Sequence, residues 1–71
     1  MMSPHQSVES TLIRSVAHDP DKNILEIKFN SGDTYHYLGV SESDHLNLMA
    51  ASSTGRHFNQ NILGRFEHVK Q

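Results

Sequence analysis

Toward the end of the chain, Arg56, Asn59 and Arg65 bring two guanidinium groups and an amide close together, a set suited to holding an anion. Thr54-Gly55-Arg56 reads as the start of a helix, where free backbone amides receive phosphate. Gly55 lacks the side chain that would keep a ligand away. The same residues have a structural explanation: Gly55 eases tight helix packing, Asn59 bonds a neighbouring loop, and the arginines are solvated. Two further cations, Arg14 and Lys28, lie on strands. Tyr35 and Tyr37, two apart on a strand, share a face and present either core packing or a stacking surface.

The six histidines do not form a metal set. No two are three or four apart on a helix, there is no cysteine, and His18 with His36 across strands makes only two ligands. His45 and His57 read as boundary residues on helices. Ser53, one turn before His57, has the look of an activated hydroxyl, but a helix cap explains it more simply. No catalytic residue, metal or cofactor is expected.

The elements that must position these groups follow from periodicity. A first strand covers about Leu12 to His18 and ends at Asp19-Pro20-Asp21, a turn set by proline and by aspartate bonding to local backbone. Ile24 to Phe29 and Thr34 to Leu38 alternate apolar and polar residues around Asn30-Ser31-Gly32, a hairpin pattern. Ser41-Glu42-Ser43-Asp44 forms a weak capping box for a helix whose Leu46, Met49 and Ala50 share one face. Ser53 or Thr54 caps a second helix, about Gly55 to Leu63, with Phe58 and Ile62 on its buried stripe and Gly64 ending it.

Two registers are open to the hairpin. With a three-residue loop and Gly32 left-handed, Ile27 pairs Tyr35, Leu25 pairs Tyr37, and the tyrosines turn inward. With a four-residue loop they turn outward, because a slip of one residue reverses every side chain. The first register is preferred: it matches two apolar faces and gives Gly32 a physical reason to be glycine. The expected core is Leu25, Ile27, Phe29, Tyr35, Tyr37, Leu46, Met49, Phe58 and Ile62. For the first strand, Leu12 with Val16 and Ile13 with Ala17 remain alternative inward pairs. Ile24, Leu38 and, in one of these alternatives, Ile13 would lie on an open sheet face.

The expected fold class is α+β, a three-stranded antiparallel β-meander packed on one face by two C-terminal α-helices, in the order β-β-β-α-α. Residues 1–8 read as a flexible lead-in, 9–67 as a single domain and 68–71 as a C-terminal tail. At 71 residues the chain buries only about 60% of its unfolded surface. There is no membrane-length apolar run and no secretory signal pattern, and the absence of cysteine is compatible with a reducing cytoplasm, the expected location. The formal net charge is −2, with six acids and two lysines between Asp19 and Asp44. Only the segment from Ser52 onward is net positive, so any anion-facing surface belongs there.

The chain resembles the KTSC domain family, found at the C-terminus of some lysyl-tRNA synthetases and as a stand-alone bacterial or phage protein. The resemblance covers about Val8 to Phe66 and rests on two ordered marks. One is Gly32 followed by Tyr35-His36-Tyr37. The other is Ala51-Ser52-Ser53-Thr54-Gly55, then Phe58, Asn59 and Ile62, with Phe66 as a closing aromatic. Ser10 ahead of the first strand and Ala17-His18-Asp19 at its end complete the match. The sequence departs from the family pattern at His18, commonly an aromatic, and at Val40-Ser41, commonly Val-Pro. The family has no established biochemical function. Its synthetase context implies RNA as partner, with Arg56, Asn59, Arg65, Gly55, Lys28 and Arg14 as candidate contacts, while Gly32, Tyr35, Tyr37, Ser53, Phe58 and Ile62 have structural roles. The alternative is a protein-interaction or dimerisation module using the open sheet face or an edge strand.

Overall fold

The computed structural model describes all 71 residues. Its elements are β1 (Gln6–Ser7), β2 (Ile13–Asp19), β3 (Ile24–Phe29), β4 (Thr34–Leu38), α1 (Glu42–Ala50), α2 (Thr54–Asn61) and β5 (Glu67–Lys70). The strands form one antiparallel sheet in the order β1-β2-β3-β4-β5. The expected α+β architecture and meander are present, but the sheet has five strands rather than three. The two additional strands are short edges: β1 lies in the segment read as lead-in, and β5 runs from Glu67, the last residue of the expected domain, into the segment read as tail. Neither carries an apolar alternation: β1 is held by its backbone pairing to β2, and all four residues of β5 are exposed.

The β3–β4 hairpin adopts the three-residue loop. Gly32 has φ +101°, its amide donates to the Phe29 carbonyl at 3.0 Å, and Ile27 pairs Tyr35 while Leu25 pairs Tyr37. At the β2–β3 turn the Asp19 carboxylate accepts from the amides of Asp21 (3.0 Å) and Lys22 (3.3 Å).

A β-bulge settles the orientation of β2. Ile13 pairs Phe29 and Ser15 pairs Lys28, leaving Arg14 as the extra residue. Two residues on the bulged strand oppose one on its partner, so the alternation shifts by one position. Ile13 and Val16, three apart, therefore both enter the core, which is neither of the two-residue pairings the alternation offers. Ile13 is in the core and not on an open face.

Both helices cover the face of the sheet that carries Ile13, Val16, Leu25, Ile27 and Tyr37, and Leu48, Phe58 and Ile62 complete that core. The capping box at α1 is formed: the Asp44 amide donates to Ser41 Oγ at 3.1 Å and the Ser41 amide to the Asp44 carboxylate at 3.3 Å. Its buried residue, however, is Leu48, and the expected core residue Leu46 is 56% exposed. The inward stripe runs through Asp44, His45, Leu48 and Met49, and His45 stacks on buried His18 with ring centroids 4.9 Å apart. An inward histidine rotates the helix away from the orientation its aliphatic residues suggest. Phe29, Tyr35 and Met49 are partly buried against the core.

Candidate functional site: a polar cleft beside an aromatic groove

Ser53 caps α2, its Oγ accepting from the Arg56 amide at 3.2 Å, and the His57 amide bonds the Ser53 carbonyl at 3.0 Å. The amides of Thr54 and Gly55 have no intrahelical partner. Ser10 lies opposite, in the turn that leads into β2. Its Oγ accepts from the amides of Leu12 (3.0 Å) and Ile13 (3.1 Å) and is thereby fixed against the helix. A Cβ on Gly55 would stand 3.1 Å from that oxygen and 3.8 Å from Leu12 Cβ. Gly55 thus allows the Ser10 turn to approach α2 closely, the structural alternative noted from sequence.

The turn and the helix enclose an open cleft of about 740 Å³, lined by Glu9, Ser10, Thr11, Ser53, Arg56 and Gln60, among others. The Arg56 side chain forms no ion pair. Three hydroxyls, two side-chain amides and one guanidinium face a single acid, Glu9. Such a set can hold a phosphate or another oxyanion.

Of the predicted anion contacts, the cleft gathers Gly55, Arg56 and Asn59 and leaves the others apart. Arg65 is exposed with its guanidinium 5.3 Å from the Phe66 ring centroid. Lys28 is exposed on the sheet face turned away from the helices, and Arg14 is exposed at the bulge. Of the residues given structural roles, Gly32 stands in the turn, Ser53 caps α2, Tyr37, Phe58 and Ile62 are buried, and Tyr35 is partly buried.

A groove of about 300 Å³ adjoins the cleft, and Leu12 and Asn59 line both. Its walls are aromatic. Phe58 meets Tyr37 edge-to-face at 5.3 Å and Phe29 at 5.6 Å, Phe29 meets Tyr35 at 5.7 Å, and His68 of β5 lies 5.7 Å from Tyr35. The tyrosines face inward as expected, but α2 seals only Tyr37; the Tyr35 end stays open to solvent. Burial pushes the Tyr37 phenol above its ordinary pKa, and charge repulsion from the Tyr35 phenol adds to the shift.

The opposite face of the sheet carries a polar network that sequence spacing does not disclose. His5 Nδ1 and Ser15 Oγ are 2.8 Å apart, His5 Nε2 donates to Glu26 Oε2, and His36 Nε2 donates to Glu26 Oε1 at 2.8 Å. These bonds, His5 first, hold the Glu26 carboxyl below its ordinary pKa against the opposing effect of burial. The order hydroxyl–imidazole–carboxylate is that of a nucleophilic relay. Ser15 is buried, and none of these residues lines a cavity. The network's evident effect is to fasten the segment before β1 onto the sheet. Only the His36–Glu26 contact was readable in advance, from the cross-strand register.

The family model described as KTSC domain matches residues 9–66. The chain belongs to the KTSC domain family. A crystal structure of a KTSC domain protein from Yersinia pestis superposes with a TM-score of 0.94 at 45% identity, covering 100% of this chain and 99% of that one. A protein of Tsukamurella paurometabola is 41% identical over 64 residues, 90% of this chain and 96% of that protein. An uncharacterised protein of Stutzerimonas stutzeri is 43% identical over 54 residues, 76% of each. A lysine–tRNA ligase of Nostoc punctiforme is 36% identical over 59 residues, 83% of this chain but only 10% of the ligase. The KTSC marks fall together in space: Ser10, Ser53 and Gly55 build the cleft, and Tyr35, Tyr37 and Phe58 build the groove. No helix is long and apolar enough to cross a membrane.

Proposed function

We propose that this KTSC domain is a non-catalytic RNA-binding module of the cytoplasm, and that the polar cleft between the Ser10 turn and α2 receives an RNA phosphate. One observation carries this reading: Arg56, whose side chain forms no ion pair, lines a cleft open to solvent together with Ser10, Thr11 and Ser53. Hydroxyls and arginine are standard donors to phosphate oxygens. Likeness to a segment of a lysine–tRNA ligase, whose substrate is a tRNA, supports RNA over other anions.

The test is a titration of fluorescently labelled tRNA at two salt concentrations with the wild type and Arg56→Ala. With only one or two phosphates neutralised, affinity should fall roughly three- to sevenfold between 50 and 200 mM salt. Arg56→Ala should weaken binding and flatten that dependence, while Lys28→Ala, on the opposite face, should change neither. Salt-independent binding, or equal loss from both substitutions, refutes the placement. No affinity for tRNA together with a concentration-dependent sedimentation mass would favour the protein-partner alternative.

A further inference from the structure

We propose that the aromatic groove receives an unpaired nucleobase, so that the RNA held at the cleft is single-stranded there. This rests on the RNA reading above and adds to it which form of RNA is bound.

The groove and the cleft are two compartments of one concavity, joined at Leu12 and Asn59. One is polar with a free arginine; the other is walled by Phe29, Tyr35, Tyr37, Phe58 and His68. A nucleotide likewise joins two parts, an anionic phosphate and a flat π-face. The Asn59 side chain makes no hydrogen bond within the protein and stands at the junction, where its amide offers a donor and an acceptor to a base edge. Leu12 and Leu63, on the groove's rim, are 37% and 49% exposed.

Size and charge then select the form of the ligand. A groove of about 300 Å³ is at the small end of ligand pockets and admits one planar ring system. A duplex buries its base faces and is read through phosphates and 2′-hydroxyls across successive minor grooves. That mode needs an extended basic surface. This chain has net charge −2, and Arg56 is the only basic residue lining the cleft. Too few counterions are released for phosphate contacts alone to hold RNA. Stacking on aromatic walls supplies the missing affinity, and only an unpaired base can stack.

The experiment compares three labelled ligands by fluorescence anisotropy: a single-stranded RNA of about eight nucleotides, within the range that small single-strand binding sites cover, the same sequence as a duplex, and a phosphodiester chain of equal length with abasic riboses. The single strand should bind at least about tenfold more tightly than the other two, the loss expected when one base no longer stacks. It should also quench the tyrosine emission, since the chain has no tryptophan and both tyrosines line the groove. His68→Ala, an exposed substitution safe for folding, should weaken the single strand and leave the abasic chain unchanged. Leu63→Asp, also exposed, serves as the second variant and should do the same. Duplex or abasic chain binding as tightly as the single strand overturns the base pocket while leaving the RNA reading intact. If none of the three binds, the RNA reading falls and the base pocket falls with it.

Discussion

Tyr37 tests whether the inward register of the hairpin organises the domain. Its ring is 3% exposed and packs edge-to-face on Phe58 at 5.3 Å. Truncating a buried aromatic to alanine costs about 3–5 kcal/mol, and the lost edge-to-face pair is part of that. The ring ends at the open groove, so water can enter part of the vacated space, which places Tyr37→Ala near the lower end, about 3 kcal/mol. A domain of 71 residues has a total stability of about 4–11 kcal/mol, so one substitution removes a large share of it. The melting temperature should fall by about 12–24 °C. Tyr37→Phe is the control. The phenol oxygen has no partner in the protein, and no buried side-chain polar atom lacks one, so the hydroxyl is served by solvent at the groove. Its removal should cost less than about 1 kcal/mol. Urea denaturation followed by far-UV circular dichroism measures both variants. A cost below about 1 kcal/mol for Tyr37→Ala, or equal costs for the two variants, would refute the assigned packing.

Three further outcomes follow from particular contacts. Gly55→Ala should destabilise despite alanine's better helix propensity, because Ser10 Oγ is pinned by two amides and cannot yield; in a Ser10→Ala background the same change should cost less, and a double-mutant cycle reads the coupling. The Glu26 carboxyl is held below its ordinary value of 4.5, so its contribution to stability is present above that pH and is lost as pH falls through the lower folded value; Glu26→Gln should flatten the acid limb of the stability curve, measured by urea unfolding across pH. Burial and then neighbouring His18 lower the His45 pKa from 6.5, opposed by Glu42, so stability should be full above about 6.5 and decline as pH falls below it. NMR titration of the His45 ring checks the direction, and His45→Phe, which keeps a stacking ring, should remove that decline.

What could be read from the chain was local. Asn30-Ser31-Gly32 favoured the observed hairpin register over a four-residue loop, because a three-residue loop demands a left-handed third residue and glycine meets that demand at no steric cost. Ser41 with Asp44 and Ser53 marked helix starts, since caps are contacts between residues within one turn, whereas α2 ends at Asn61 and Gly64, expected to end it, stands in the turn beyond with φ +79°. The anion cluster was half legible: Gly55, Arg56 and Asn59 lie within one helix, whereas Arg14, Lys28 and Arg65 belong to other surfaces that only the folded chain separates.

The rest was decided by packing across the chain. The bulge at Arg14 overrode strict alternation because both Ile13 and Val16 are needed in the core. His18 drew His45 inward and turned Leu46 out, a rotation that no hydrophobic stripe records. β1 and β5 carry almost no apolar signal, because backbone pairing to an existing sheet edge sufficed. Ser10 meets Gly55 across more than half the chain, and the same closure sets the polar cleft beside the aromatic groove. Residue types supplied the candidate chemistry, but which of them share one concavity depends on contacts between distant segments, which spacing along a chain does not encode.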